Sequence, residues 1–210
     1  VLDLNNLEVL STINVGNGPE KMVLVDGFVY VQNVGGWGLD NTVSIVDTES
    51  DLVVSTLEVG DKPNSSVVDV NGDVWILSGG HTEYDANWNI VNETAGSLVK
   101  ISNKNVVETF NFDVGDHPQD LVINDLGNTL YFSNGSWSKT VYSFNITDTE
   151  LQSTPLINRS FYGLGTSNNY IYGTDALDFV QNGWSYKYSS DGLLIDSVKV
   201  GIIPGDYCFN

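Results

Sequence analysis

Short apolar or alternating runs, separated by turn residues, fill this chain from end to end. Residues 141–146, VYSFNI, alternate apolar and polar side chains, whereas residues 121–123, LVI, form a short apolar run. Both patterns are typical of β-strands, and no stretch shows the 3.6-residue period of a helix. Gly, Asn and Asp between the runs favour tight turns. The pattern predicts an all-β protein of short strands.

The strand pattern repeats along the chain. Residues 1–19 align with residues 45–63 at an offset of 44 positions, and Pro19 falls on Pro63. A box of sequence Val-Gly-x-x-Pro, here called the proline box, marks the repeat. It begins at Val15, Val59, Val114 and Val200. A further unit around residues 158–165 lacks the box but keeps the flanking strand-like runs.

Each repeat holds four strand-like runs. In the third repeat we expect strands at 120–124, 129–133, 140–145 and 150–156. Units of ~40–45 residues with four strands are the period of a β-propeller blade. The predicted fold is therefore a β-propeller of four-stranded antiparallel blades, as a single domain or the C-terminal part of one. The predicted units are 1–15 (partial), 16–58, 59–113, 114–157 and 158–199, with 200–210 as a closing strand.

The two chain ends look different in this pattern. Val200–Asn210 repeats Val114–Asn124 and is expected to supply one complete loop and one innermost strand. Leu7–Asn14 is expected to be the outer strand of a blade whose second and third strands are missing. The chain is therefore predicted to be the last four blades and closing strand of a larger propeller, of seven blades.

Several segments resemble a known family. VSIVDTESDLVVSTLEVGDKP at 43–63, with YVQN at 30–33 and YFSN at 131–134, is similar to the YVTN-repeat, or YncE-like, β-propellers. The ending IIPGDYCFN at 202–210 further resembles surface lipoprotein propellers of Bacteroidetes-type bacteria. That resemblance implies an exported protein, at the bacterial outer membrane surface or in the periplasm. It also implies capture of a small nutrient ligand, such as a corrinoid, or docking on a TonB-dependent transporter or another surface protein.

Charge narrows the range of partners. The net charge is −19, from 27 acidic residues scattered along the chain. Such an acidic field repels phosphate backbones and anionic membranes, so we expect no nucleic-acid partner. No apolar run approaches the ~20 residues of a membrane helix, so no spanning segment is predicted. Cys208 is the single cysteine, which excludes an internal disulfide, and we expect a buried, inert thiol there.

Long loops of the predicted blades each carry one tryptophan. Because successive strands are antiparallel, the second-to-third strand loops and the proline boxes should emerge on one face, here called the loop face. The loops span 33–41, 78–96, 134–139 and 173–185, and their tryptophans are Trp37, Trp88, Trp137 and Trp184. Tryptophans on loops give rigid contact area for sugars, flat ligands or a partner protein. The alternative is that each one packs over the neighbouring blade, and Trp184, which abuts a strand, favours this alternative.

Two further features point to the loop face as the binding surface. The 78–96 loop is long enough to be costly to order without a role, although a mobile insertion is the alternative. First strands should also place Lys21, Ser65, Asp120, Asp206 and Phe161 at the mouth of a central channel. The predicted ligand- or partner-binding residues are Trp37, His81, Tyr84, Trp88, Trp137, Trp184, Lys21, Asp120, Phe161 and Asp206.

Catalytic chemistry is not apparent in the sequence. The two histidines, His81 and His117, fall in different blades, and no G-x-S-x-G, P-loop, H-E-x-x-H or C-x-x-C sequence occurs. We therefore expect no catalytic residue, metal or cofactor, and predict a binding propeller that is not an enzyme. The alternative is a lactonase-like or quinoprotein-like propeller enzyme, with a metal or cofactor held at the channel mouth.

Overall fold

The computed structural model describes residues 1–136 and 138–209, which form antiparallel strands joined by turns and irregular segments. The first sheet contains β1 (Pro19–Val25), β2 (Phe28–Asn33), β3 (Thr42–Asp47) and β4 (Leu52–Glu58). The second sheet begins with β5 (Pro63–Val68) and β6 (Val74–Ser78). A separate hairpin follows, β7 (His81–Tyr84) and β8 (Ile90–Thr94), and then β9 (Ser97–Ser102) and β10 (Asn105–Asn111) complete the second sheet.

The second half of the chain forms two more sheets. The third sheet has three strands, β11 (Gln119–Ile123), β12 (Thr129–Asn134) and β13 (Thr140–Asn145). The fourth has β14 (Gly163–Ser167), β15 (Tyr170–Asp175), β16 (Asn182–Ser189) and β17 (Leu194–Ile202). Consecutive strands pair as neighbours within each sheet, except where the β7–β8 hairpin is inserted. Among the described residues, no helix is long and apolar enough to cross a membrane.

The hydrophobic cores lie between adjacent sheets. Strand β6 shows why, because all five of its residues are buried and its alternate side chains belong to different cores. Trp75 and Leu77 pack against the third sheet, whereas Val74 and Ile76 pack against the first. A further core joins the third and fourth sheets through Tyr131 and Ile171. Apolar runs such as VWIL are therefore continuous because both faces of the strand are covered.

First strands of neighbouring sheets lie side by side. Strand β5 contacts both β1 and β11, and β11 contacts β14, so the first strands form the inner row of the sheets. Their starts are irregular in the same way, because the pairing register shifts between Pro19 and Lys21, between Pro63 and Ser65, and between Gln119 and Val122. A bulge of this kind re-aims side chains at the end of a strand.

Three predicted strands are absent from the described structure. Residues 150–156, predicted as the fourth strand of the third sheet, are irregular, and only an isolated bridge joins Ile157 to Val141. Residues 7–14 contribute only the isolated bridge between Val9 and Leu2. The third is the closing strand: β17 ends at Ile202 and residues 203–209 form no strand. The closing role of residues 200–210, which requires pairing with another blade, stays a prediction.

The segment after β17 is held by aromatic packing instead of a ladder. The Tyr207 ring lies 5.6 Å from the Tyr172 ring and stacks on Phe209 at 5.6 Å. Cys208, between these two aromatics, is exposed, so the expectation of a buried thiol is also wrong.

Asp69, in the turn between β5 and β6, makes a buried hydrogen bond whose contribution to stability can be measured. Asp69 is 5% exposed, and its carboxylate accepts hydrogen bonds from the Trp75 indole (3.0 Å) and from the Asn71 backbone (2.8 Å). Asp69→Ala leaves the buried indole N–H without its acceptor, which costs about 2–3 kcal/mol of unfolding free energy. Urea unfolding followed by tryptophan fluorescence measures this. Glu49→Ala, at an exposed turn, is the matched control, and equal stability of the two variants would contradict the assignment.

Candidate functional site

The loops between second and third strands meet the proline boxes on the loop face, as predicted. Gly35 donates its backbone N–H to Asn17 (2.9 Å), which places the first long loop against the first proline box. Gly79 donates to Lys62 (3.0 Å), and His117 donates to Gly135 (3.4 Å), in the next two sheets. The same pairing in three sheets confirms that these loops and boxes share one face.

The long 78–96 segment is an ordered hairpin rather than an irregular loop. His117 of the third proline box supports its base: the ring Nδ1 lies 2.8 Å from the Gly79 carbonyl and therefore donates to it. The other ring nitrogen, Nε2, lies 3.0 Å from the Thr82 hydroxyl and 3.4 Å from a Glu93 carboxylate oxygen. His117 thus ties both strands of the hairpin to the third sheet.

A cleft of about 330 Å³ opens beside this histidine, between the second and third sheets. We call it the His–Lys cleft. Its polar lining residues are Lys62, Asn64, His81, Thr82, His117, Gln119 and Lys139. Both histidines of the chain and two of its eight basic residues are therefore gathered in one place, in a protein of net charge −19. The cleft is a local concentration of hydrogen-bond donors within an acidic surface.

Asp120 lies at the edge of the cleft, in the bulge that opens β11. Its backbone has a φ of 60°, in the left-handed region that residues with a β-carbon rarely occupy. Gln119 donates its side-chain amide to the Asp120 carboxylate (3.0 Å), and Lys139 donates its ammonium to the other end of the same amide. A relay of three side chains therefore joins the cleft to the bulge.

Burial perturbs the two charged ends of this relay in opposite directions. Loss of solvent raises the pKa of Asp120, although Gln119, Lys21 and Lys139 oppose the shift, and nearby Asp206 adds to it. Loss of solvent lowers the pKa of Lys139, and Asp120 opposes that shift. Both shifts move the pKa of the group toward physiological pH, as at many functional sites.

The predicted mouth residues divide into two groups. Lys21 and Asp206 are exposed and close enough to Asp120 to influence the pKa of its carboxyl, so the structure brings these three together. Ser65 is buried, donates to Asn64 (2.7 Å) and accepts from the Leu121 backbone (3.0 Å), so it joins β5 to β11.

Phe161 does not lie at the channel mouth, and this prediction of its position is corrected. Its ring is buried in the core between the third and fourth sheets, 6.1 Å from the Tyr186 ring and 5.8 Å from the Tyr188 ring. It packs so closely on Gly173 that a β-carbon there would lie 2.4 Å from the ring. The unit that lost its proline box therefore uses this position for packing.

The predicted tryptophans occupy different environments. Trp37 is fully exposed, and Trp88, at the turn of the β7–β8 hairpin, is 82% exposed with its ring 6.0 Å from Tyr84. Trp184 lies within β16, half-buried against Tyr186, instead of on a loop. Trp137 lies outside the described residues. In the described structure Trp37 and Trp88 cover no core, whereas Trp184 packs within a sheet. Whether these tryptophans bind a ligand stays a prediction.

The cleft includes functional candidates that the sequence reasoning did not select. Lys62 and His117 both occupy the position just before the proline of a box, in Gly-Asp-Lys-Pro and Gly-Asp-His-Pro. A basic residue at the same place in two consecutive boxes was an available signal. Gln119 and Lys139 had no such signal, because only the packing of β11 against the adjacent loop brings them to the cleft.

Comparison with known proteins supports the fold alone. No family model matches the sequence, and no curated protein matches it. The hydrazine synthase of Kuenenia stuttgartiensis matches with a TM-score of 0.69 and 15% identity, over 95% of this chain and 58% of its own. A candidate 6-phosphogluconolactonase from Bacteroides fragilis matches with a TM-score of 0.63 and 14% identity, over 100% of this chain and 65% of its own. BamB from Moraxella catarrhalis matches with a TM-score of 0.59 and 15% identity, over 97% of this chain and 56% of its own.

These matches and the sheet arrangement define the class of protein. The chain is an all-β protein with the β-propeller fold, and it spans less than two thirds of the length of each of the three matched chains. Similarity to the YVTN-repeat family stays a resemblance. The prediction that the protein is not an enzyme is corrected, because a candidate 6-phosphogluconolactonase shares the fold, so the fold does not exclude catalysis.

The relay predicts how the pKa of Asp120 responds to a neighbouring charge. Lys139 lowers that pKa, so Lys139→Met, which removes the positive charge and keeps the apolar stem, should raise it further. Carbon-detected NMR titration of the Asp120 carboxyl measures the change. Lys199→Met, in β17, is the control and should leave the titration unchanged. An unaltered or lowered pKa in Lys139→Met would show that the ammonium does not act on this carboxyl.

Proposed function

We propose that this propeller binds a small anionic ligand, such as a carboxylate or phosphate compound, in the His–Lys cleft. The carrying observation is the concentration of basic and donor side chains in a cleft of about 330 Å³ on a strongly acidic protein. A cleft of this size suits a small molecule. Cationic donors recognise carboxylate and phosphate oxygens through strong charge-assisted hydrogen bonds.

The arrangement of the lining favours an anion over other ligands. Lys62 and His81 are half-buried, and both line the cleft. The nearby carboxylate of Glu93 is engaged by Thr82 and His117, and that of Asp120 accepts from Gln119. The acidic groups beside the cleft thus have hydrogen-bond partners of their own. Lys139 is engaged by Gln119, whereas Lys62 has no side-chain partner among the described residues and is available to a ligand.

Calorimetric titration with small anions tests this proposal. Inorganic phosphate, citrate and glucose 6-phosphate serve as probes, with glucose as the neutral control. At least one anion should bind saturably, and Lys62→Met should weaken it about tenfold, because a charge-assisted hydrogen bond is lost. Lys199→Met is the matched control, since it removes the same charge from β17. Binding that both variants weaken equally would reflect the overall charge of the protein and not the cleft.

Hydrolysis of an anionic ester or lactone is a second candidate function for the same cleft. The favouring observation is Asp120, which has a strained backbone and a raised pKa and lies in a relay with Lys139. A carboxylate near a cleft can accept a proton from an attacking water, and an ammonium can stabilise the oxyanion that forms. Strained backbone and perturbed pKa values together are typical of catalytic positions.

Turnover of small anionic lactones and esters tests this second candidate. If Asp120 is the base, Asp120→Asn abolishes turnover and leaves ligand affinity within roughly twofold, because the amide keeps the shape of the carboxyl group. Since the base must be ionised, kcat/KM should fall as the pH drops through the raised pKa of Asp120. A substrate that Asp120→Asn hydrolyses at the normal rate would remove Asp120 from this role.

A protein partner is a further part of the proposal. Exposed Trp37 and Trp88, both on the loop face, support contact with another protein, because large exposed aromatics favour interfaces. The sequence resemblance suggests an outer-membrane transporter or another surface protein as that partner, and a surface or periplasmic location. Both remain predictions.

A further inference from the structure

The β7–β8 hairpin is separate from the four larger sheets and is fastened to them at two places. At its base, the Thr94 hydroxyl donates to the Asp61 carboxylate of the second proline box (2.7 Å). One pair further along the hairpin, Thr82 and Glu93 lie opposite each other on the two strands, and both meet His117 of the third proline box. The second fastening therefore contains a side chain that changes its charge near neutral pH.

The contacts of His117 require a hydrogen on both ring nitrogens. Nδ1 lies 2.8 Å from the Gly79 carbonyl oxygen, which can only accept, so Nδ1 carries a hydrogen. Nε2 lies 3.0 Å from the Thr82 hydroxyl and 3.4 Å from Glu93 Oε1. The Thr82 hydroxyl has a single hydrogen, and it donates that hydrogen to the same Glu93 oxygen (3.0 Å). No hydrogen is then left for Nε2 unless the ring itself supplies one.

Neither neutral form of the ring satisfies all these contacts. With its hydrogen on Nδ1, the ring turns the Nε2 lone pair toward a carboxylate oxygen. With its hydrogen on Nε2, it turns the Nδ1 lone pair toward the Gly79 carbonyl oxygen. The charged ring satisfies every contact, because Nδ1 donates to Gly79, Nε2 donates to Thr82 or Glu93, and Thr82 donates to Glu93. The geometry therefore fits the imidazolium form, held by charge-assisted hydrogen bonds.

The ring and its carboxylate are positioned for exchange of this proton with solvent. The side chain of His117 is 28% exposed and that of Glu93 is 20% exposed, so water reaches both groups while partial burial strengthens their attraction. Glu93 also lies against the third proline box, since a β-carbon on Gly115 would be 3.8 Å from its Oε2 atom. The carboxylate thus reaches from the hairpin to the box that carries the histidine.

Charged groups on the surrounding elements act on the ring in both directions. The acidic groups, which favour its positive charge, are Glu93 on β8, Asp61 in the second box, Asp116 in the third box and Asp120 in β11. The basic groups, which oppose it and line the same cleft, are Lys62, His81 and Lys139. Among the described carboxylates, that of Glu93 is the one in direct contact with the ring.

From the hydrogen count and the ion pair that joins two elements, we propose that His117 is a pH-dependent clamp for the β7–β8 hairpin. The charged ring fastens the hairpin to the third sheet. Loss of the proton turns the Nε2 lone pair toward Glu93 and releases the outer part of the hairpin, while Thr94 and Asp61 still hold its base. Histidine changes charge between about pH 5 and pH 8, so the clamp is closed at the acidic end of this range and opens as the pH rises.

The clamp controls how the tip of the hairpin is presented. Tyr84 and Trp88 lie at this tip, exposed, with ring centres 6.0 Å apart. A hairpin that is already held in place loses less conformational entropy when a partner binds to it. Acidic conditions should therefore favour contact through these two aromatics. This consequence rests on the proposed protein partner, whereas the clamp itself does not.

Amide hydrogen exchange followed by NMR at about pH 6 and about pH 8 tests the clamp. Exchange rates are corrected for the intrinsic effect of pH, and cationic Bis-Tris and Tris buffers keep buffer anions out of the His–Lys cleft. Protection of amides in residues 83–92 should be about tenfold higher at the acidic pH, because deprotonation removes one charge-assisted hydrogen bond. Amides of β2 and β3 are the reference and should not change. Hairpin protection that is equal at both pH values, or higher at the alkaline one, would overturn the proposal.

Substitutions separate the clamp from other causes of pH dependence. In Glu93→Gln the new amide accepts from a charged ring or donates to a neutral one, so the pH difference should shrink to about twofold or less. Glu83→Gln, the same change at an exposed position of the same hairpin, is the matched control and should keep the full difference. His81→Gln removes the other histidine and should also keep it. A full difference in Glu93→Gln, or its loss in His81→Gln, would contradict the clamp. No anionic ligand is present, so failure of the clamp is distinguishable from failure of the anion site.

Discussion

The structure depends on packing each sheet against its neighbour, which covers both faces of the second and third sheets. The middle strands carry apolar side chains on both faces of a sheet. A sheet with a neighbour on one side only would therefore leave its other apolar face exposed to water. Strand β6 meets this constraint through Trp75 on one face and Ile76 on the other. Because hydrophobic burial is the dominant favourable contribution to folding, packing sheet on sheet accounts for the repeat and for the shared direction of its loops.

The candidate sites follow from that packing. Adjacent sheets bring one proline box against the neighbouring loop, which places Lys62 and His117 around one cleft although they are 55 positions apart. The bulges that open the first strands then turn Asp120 and its neighbours toward the same region. Residues 150–156, where a strand is missing, border a second cleft beside β12 and β13. Packing between adjacent sheets thus forms the first cleft, and an irregular segment borders the second.

The sequence predicted the repeated parts of the molecule well. The period, the all-β class, the propeller fold and the common face of the loops follow from local patterns, because strand alternation and turn chemistry are local properties. It predicted the irregular parts poorly. Residues 150–156 have strand-like composition but bend away from β13, and Phe161 aligned with mouth residues but packs in the core. Composition does not reveal whether a strand finds a partner edge.

The sequence alone therefore determined the strand pattern, the acidic charge and the positions of the proline boxes. The tertiary structure decided which side chains meet, because the contacts among Gln119, Asp120 and Lys139 cross from one strand to a loop. It also decided which aromatics are exposed: Trp37 lies in solvent, whereas Trp184 lies within a strand. Burial and the pKa shift of Asp120 both depend on neighbours that are distant in the chain, such as Lys21 and Asp206. Their physical origin is packing between sheets, which no local segment encodes.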